Sequence, residues 1–415
     1  MFQAVFFIKG GMKMGNSQFI KRLIPILLST FVAWFYVAAY TPLGYIYNTY
    51  PGQDALVMSI ATIPGVVAMI GGFVSAAIIR FVGRKPLILG SMGLMLAGGL
   101  LVRFMGNQNI YTAIVGSAMT GFAAGSIPTA NISALSAITP TNLSDKIYGL
   151  NDATTSIGMV FANAAMGFLA ASGEWVKAFD IYWVVAAAII ATVIWYPSDK
   201  VQANNEETVD SEGNDTNKIS GSIIALIIFK FVAALFYMGM TVNLSSLIIN
   251  ELQIGTSAHV GTLTSLATFI GVVIMAAIFV VLKVCRQYSL TAMMLLTGIA
   301  FVLATHANSV ITIGILFCIA SIGINAQHSG ITTVLGNAVK GKAAGTAVGL
   351  FTGFMFIGEA LCGYVPRIIS NMILGSANPS DCILISGICC IILGVIGYFI
   401  YGKAYKLAFP NKDNN

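Results

Sequence analysis

The chain has 415 residues; 57% are hydrophobic, only 9% are charged, and the net charge is +6. A soluble domain carries charge on about a quarter of its residues, so this chain has too little charge to cover a core of its own size in water, and its solvent is lipid. The positive balance raises a nucleic-acid partner, which the placement of the basic residues below excludes.

Residues 1–20 mix apolar and basic side chains without a small-residue cleavage site, so no removable signal peptide is expected. After Arg22 come apolar runs long enough, at about 20 residues each, to cross a hydrocarbon core of about 30 Å. They are predicted at 23–47, 55–81, 86–105, 109–138, 147–171, 176–197, 221–249, 258–282, 289–306, 309–336, 343–368 and 381–402. The expected fold is an all-α membrane protein, with twelve transmembrane helices in two pseudo-symmetric six-helix bundles. Between spans 6 and 7, residues 198–220 break the pattern with Asn204, Glu206, Glu207, Asp210, Glu212 and Asp215, a polar, acidic linker. The plan is a tail at 1–22, a bundle at 23–197, the linker, a bundle at 221–402 and a tail at 403–415.

Internal echoes support a duplication. Ser59 to Val67 returns as Ser265 to Val273, a shift of 265 − 59 = 206 residues. Phe31-Val32-Ala33 returns as Phe231-Val232-Ala233, and Gly149-Leu150 with Gly158 returns as Gly349-Leu350 with Gly358, each at a shift of 200. The echoes share one order and nearly one spacing.

The basic residues sort by side. Odd-numbered loops and both tails hold Lys13, Arg22, Arg84, Lys85, Lys146, Lys283, Lys340 and Lys403, among others, whereas the opposite side holds only Arg103, Lys177 and Arg367. Basic loops stay cytoplasmic during insertion, so both termini are expected there, in the plasma membrane. The positive charge is then a topology signal. The six cysteines lie in the second half without a C-x-x-C pair and mostly in apolar runs, which reads as small buried hydrophobes rather than a disulfide frame or metal site.

Two six-span repeats about a hydrophilic linker resemble the major facilitator superfamily. The loop after span 2, Arg80-Phe81-Val82-Gly83-Arg84-Lys85-Pro86, is similar to that family's Gly-x-x-x-Asp-Arg-x-Gly-Arg-Lys pattern, with Gly83, Arg84 and Lys85 matching as a gating motif. Ala76, Arg80 and Phe81 replace the first glycine, the acid and the first basic residue; Ser117 stands where the family has an arginine in span 4. The resemblance implies a central cavity lined by spans 1, 4, 7 and 10, flanked by 2, 5, 8 and 11, with halves that rock to expose a midplane site alternately.

Ionisable groups inside spans are functional candidates by default. Lys230 in span 7 and His328 in span 10 each lie 12 residues from a loop lysine, Lys218 and Lys340, about 18 Å at 1.5 Å per residue. Lys230, Tyr237, Thr241 and Ser245 share one helical face, as do Ser321, Asn325, His328 and Thr332. These stripes predict a wet wall for a polar or anionic solute, against a snorkelling lysine and a histidine bonded between helices. Glu359 is the one acid deep in a span. Desolvation penalises a carboxylate's charge, so Glu359 is the candidate proton carrier, the alternative being a static pair with Lys230. Asp152, the second proton-coupling candidate, lies nearer the span 5 mouth, where a gate or helix-end charge is the better reading. Trp34 and Tyr36 in span 1 offer an organic ligand an apolar surface with a polar tip; Gly121, Gly125, Pro128 and Asn131 suggest close packing and a bend in span 4, with Asn131 a further substrate-binding candidate.

Gly98-Gly99 is intramembrane packing, and no phosphate-cradling loop, metal-spaced histidine pair or Ser/His/Asp set supports an enzyme. The expected function is secondary active transport of a small organic solute, an organic anion preferred, by alternating access and with proton coupling. The alternative is a drug efflux antiporter; a non-transporting sensor is remote. The expected partners are solute, bilayer and protons, with no cofactor and a monomeric state.

Overall fold

A computed structural model describes residues 16–139, 143–196, 219–339 and 342–409. Most of the expected linker, much of both tails, and Lys218 and Lys340 lie outside the described residues. Every regular element among the described residues is helical. Ten helices are long and apolar enough to cross a membrane, and an eleventh crossing is the pair Gly349–Leu361 and Val365–Leu374, bent by 46°. Ser144–Leu169 fills the fifth position, completing twelve. Large apolar side chains such as Phe81, Phe104, Ile311 and Met372 face outward, which a bilayer rewards and water does not.

The helix ends follow local chemistry. Asn109 caps Ile110–Ile138 by accepting from the Tyr111 amide, and Thr256 with His259 forms a capping box at Ser257–Ala276. Pro379 occupies the first turn of Pro379–Ala408, where a missing N–H costs nothing. Spans 1 and 7 are broken near their middles. Span 1 runs as Asn16–Val32, a 3-10 turn Phe35–Tyr40, and Leu43–Thr49. Span 7 runs as Gly221–Tyr237, Gly239–Ser246, and a π-helical turn Leu247–Glu251.

The echoes in the sequence become duplicated contacts. A Cβ on Gly158 would lie 1.9 Å from the Phe31 carbonyl, and one on Gly358 would lie 2.6 Å from the Phe231 carbonyl. The same glycine-on-phenylalanine crossing therefore joins spans 1 and 5 and spans 7 and 11. Ser59 and Ser265, which head the longest echo, both reach across the halves: Ser59 to the Tyr364 hydroxyl at 2.8 Å, Ser265 to the Val160 carbonyl at 2.8 Å. One apolar core gathers residues from Phe19 to Tyr196, joined from the second half by buried Val242 and Cys362 and by partly buried Met238 and Tyr364. Two further cores are built entirely from the second half.

The halves meet chiefly toward the end of the bundle away from the termini, called here the distal end. There Gly44 N–H donates to Ser245 Oγ at 2.9 Å, Ser245 Oγ donates to the Thr41 carbonyl at 2.7 Å, and Asn250 Nδ2 donates to the Gly44 carbonyl at 2.9 Å. Ser257 Oγ donates to the Gly167 carbonyl at 2.7 Å, and Arg367 pairs with Asp54 across the halves. The three basic residues expected on this side are all neutralised by acids: Arg103 by Asp180 at 2.6 Å, Lys177 by Glu174 at 2.9 Å, and Arg367 by Asp54.

Candidate functional site

Beneath the distal seal lies a cavity of about 330 Å³ between the halves. Seven spans reach it. Span 1 contributes Trp34, Tyr36 and Tyr40; span 5 contributes Met159 and Asn163; span 7 contributes Tyr237 and Thr241. Spans 10 and 11 add Ser321, Asn325, His328, Met355, Phe356 and Glu359, with Thr62 and Thr268 from spans 2 and 8. The 3-10 turn in span 1 explains why residues so close in sequence as Trp34, Tyr36 and Tyr40 can all face inward. Trp34 and Tyr36 stack at 5.8 Å between ring centroids.

Glu359 is the only acid on this wall and accepts a hydrogen bond from the Tyr237 hydroxyl. The other face of the arrangement is Lys230, whose ammonium sits 4.3 Å from the centre of the Tyr237 ring, a cation–π placement. Lys230 is fully buried, and its Nζ has no hydrogen-bond partner among the described residues. Glu359 lies within electrostatic range of it, and Lys230 in turn acts on His328. His328 lines the cavity and packs its ring 5.7 Å from that of Phe351.

Several expected positions are corrected. Lys230 does not line the cavity: its long side chain shares a helical face with Tyr237 but folds behind that ring. Asn131 is also absent from the wall. It is held in a buried network in the first half, donating to Ser29 Oγ and Thr30 Oγ1 at 2.9 Å each and accepting from the Tyr196 hydroxyl at 3.0 Å. Span 4 as a whole stays off the central cavity, contrary to what the resemblance implied. A Cβ on Gly121 would meet the Pro64 carbonyl at 2.3 Å and one on Gly125 the Ala68 carbonyl at 1.7 Å, so span 4 is spent on packing against span 2. Asp152 is exposed, near the start of Ser144–Leu169, and outside the cavity. Ser245 serves the distal seal and Thr332 is exposed one turn below His328. Phe356, Thr268 and Met275 were missed; Thr264 and Thr268, one helical turn apart at the start of the echoed stretch, were the available signal.

The Gly83-Arg84-Lys85 loop is not a bridge between the halves. Gly83 has φ 90° and ψ 162°, a backbone region open essentially to glycine alone. This sharp turn sends Arg84 Nε to Ser133 Oγ at 2.9 Å and Lys85 Nζ to the Val193 carbonyl at 2.7 Å. Both anchors belong to the first half.

The model of the Major Facilitator Superfamily matches residues 23–363. No curated protein sequence matches this chain. Among solved structures, a bacterial homologue of the human lysosomal transporter Spinster, inward-facing and unoccupied, superposes with TM-score 0.74 at 13% identity, covering 96% of this chain and 99% of its own. A crystallised mutant of the nucleoside transporter NupG gives TM-score 0.72 at 12% identity, covering 91% and 99%. The xylose transporter XylE from E. coli, inward open, gives 0.66 at 12% identity, covering 92% and 96%. These likenesses show the fold. With the family model spanning most of the chain, this protein belongs to the Major Facilitator Superfamily: it is a multi-pass membrane transporter of the secondary kind, not an enzyme.

Proposed function

We propose that the protein moves a small amphipathic organic solute through the central cavity and couples that movement to a proton carried by Glu359. The observation that carries this reading is the arrangement at one cavity wall: a carboxyl open to the cavity, held by the Tyr237 hydroxyl, with a fully buried ammonium behind the same ring. A proton on Glu359 changes the charge facing both the solute and Lys230. That links site occupancy to the field inside the second half, where desolvation makes charges interact strongly.

The cavity wall favours a solute with a flat apolar body and a few hydrogen-bonding groups. Trp34, Tyr36, Tyr40, Phe356 and four methionines supply apolar surface, while Asn163, Thr241, Asn325 and His328 supply polar tips. The organic-anion expectation rested on the Lys230/His328 pair, of which only His328 lines the cavity among the described residues. No lysine or arginine among the described residues lines the cavity, so the amphipathic version is preferred. We place the termini, and thus the open end, on the cytoplasmic side of the plasma membrane, on the strength of the basic loops.

The test uses purified protein in liposomes, after a thermal-shift screen of a metabolite and drug library has found a stabilising solute. The wild type should accumulate or expel that solute in response to a pH gradient. Glu359→Gln should lose that response while keeping solute counterflow. The double variant Glu359→Gln with Lys230→Met guards against misfolding of the single one, because it removes both charges together. A pH response in either variant equal to wild type rules Glu359 out.

A further inference from the structure

A second cavity, of about 380 Å³, lies toward the terminal end of spans 1, 2, 4 and 11. It shares Trp34 and Phe356 with the central cavity. These two rings stack at 6.4 Å between centroids and 27° between planes, so the stack is a common wall with one ring from each half. Beyond it the lining is apolar, with Ala68, Met69, Phe73 and Pro128 on the first half.

The opposite lining is span 11, which brings Thr352, Phe356 and two glycines. Gly349 and Gly353 stand one turn apart and face this space. A Cβ on Gly349 would meet nothing within 4 Å, and one on Gly353 would meet only Met69 Sδ at 3.5 Å, an ordinary contact. Contrast Gly358 on the same helix, where a Cβ would lie 2.6 Å from the Phe231 carbonyl. Close packing accounts for Gly358. It does not account for Gly349 and Gly353, whose absent side chains leave open volume on the far side of that stack.

From this we infer that the space behind the Trp34–Phe356 stack is a second subsite, which takes the apolar ring of the transported solute as it passes between the central cavity and the terminal end. The inference rests on the central cavity being the solute site and names the solute's apolar part more narrowly: a neutral, ring-sized aromatic group. An acyl chain fits the chemistry less well, because the space ends on the two stacked rings rather than running on as a slot.

Photolabelling of the full chain in lipid nanodiscs tests this without a known substrate. The probe is 4-hydroxybenzophenone, with sites mapped by mass spectrometry of peptides. Label is expected on the peptide carrying Met69 and Phe73 as well as on the one carrying Tyr237. Gly349→Leu with Gly353→Leu should cut the Met69 label about tenfold and leave the Tyr237 label unchanged, which also reports that the variant is folded. Label confined to the central cavity overturns the subsite and leaves the proposed function standing. So does label spread over lipid-facing peptides such as that of Ile311 and indifferent to the two leucines. A photoreactive fatty acid labelling Met69 where hydroxybenzophenone does not assigns the space to lipid, and the inference fails. Transport by Glu359→Gln is a separate measurement, so the two readings fail independently.

Discussion

Lys230 shows how a single residue can be found by sequence and still be misplaced by it. Counting residues from the loop lysines put Lys230 and His328 at one depth, and the structure brings them within electrostatic range. The direction of the long lysine side chain was not legible, because a shared helical face does not say whether an ammonium reaches the cavity or folds behind a neighbouring ring. Its burial leads to a stability prediction. Removing one member of a buried charge pair leaves the other uncompensated, at a cost of about 3–5 kcal/mol. Glu359→Gln should therefore lower the melting temperature, and adding Lys230→Met should restore most of the loss, measured by thermal unfolding in detergent. Equal and additive losses would mean the two charges do not sense each other. Tyr237→Phe keeps the ring over Lys230 but removes the hydroxyl that holds Glu359. It should weaken pH-driven transport while leaving solute affinity within about tenfold, the upper end of one net hydrogen bond of about 0.5–1.5 kcal/mol.

Among the helices, glycine has two opposite uses that look alike in the sequence. Gly125 lets span 4 lie against the Ala68 carbonyl of span 2, and Gly353 leaves space open in span 11. Overpacking a filled site costs about 1–3 kcal/mol, whereas adding a methyl to open space in a helix is neutral or gains up to about 1 kcal/mol. Gly125→Ala should destabilise the protein and Gly353→Ala should not, as read by thermal unfolding of both variants side by side. The helix boundaries were legible to within a few residues, since apolar length, Asn109 and Pro379 declare them. In span 1 the break before Leu43 was declared by Pro42, which stands between the 3-10 turn and the last helix. The break in span 7 was not legible: no proline stands there, and Gly239 lies against Ser386 of span 12, where a Cβ would come within 2.2 Å of the Ser386 hydroxyl.

For the molecule as a whole, the duplication, the span count and the family's architecture could be read from Ser59/Ser265, Phe31/Phe231 and Gly158/Gly358. Which end is shut could not, because the contacts that decide it join residues about 200 or 300 positions apart with no shared pattern. Asp54 and Arg367 are one such pair. The Arg84 and Lys85 anchors stay within the first half, so among the described residues no ion pair at that loop offsets the distal one. Asp54→Asn should shift the population toward distal opening. In a chain stripped of its native cysteines, Thr241→Cys in the cavity should react several-fold faster with a membrane-impermeant maleimide applied from the distal side. Exchanging the charges, Asp54→Arg with Arg367→Asp, should return the rate to its starting value. An unchanged rate in Asp54→Asn would show that the hydrogen bonds around Ser245 hold the seal without it.

The paired breaks carry one more implication. The distal tips of spans 1 and 7, Leu43–Thr49 and Gly239–Glu251, are tied to each other through Ser245, Gly44 and Asn250. Each is also cut from the rest of its own helix near the aromatic residues of the site. The span 7 tip is also packed into the core of its own half through Met240, Leu244 and Ile248. Distal opening therefore requires these two tips to part from each other before a solute can pass between them, and the break in each helix is where such bending would fall.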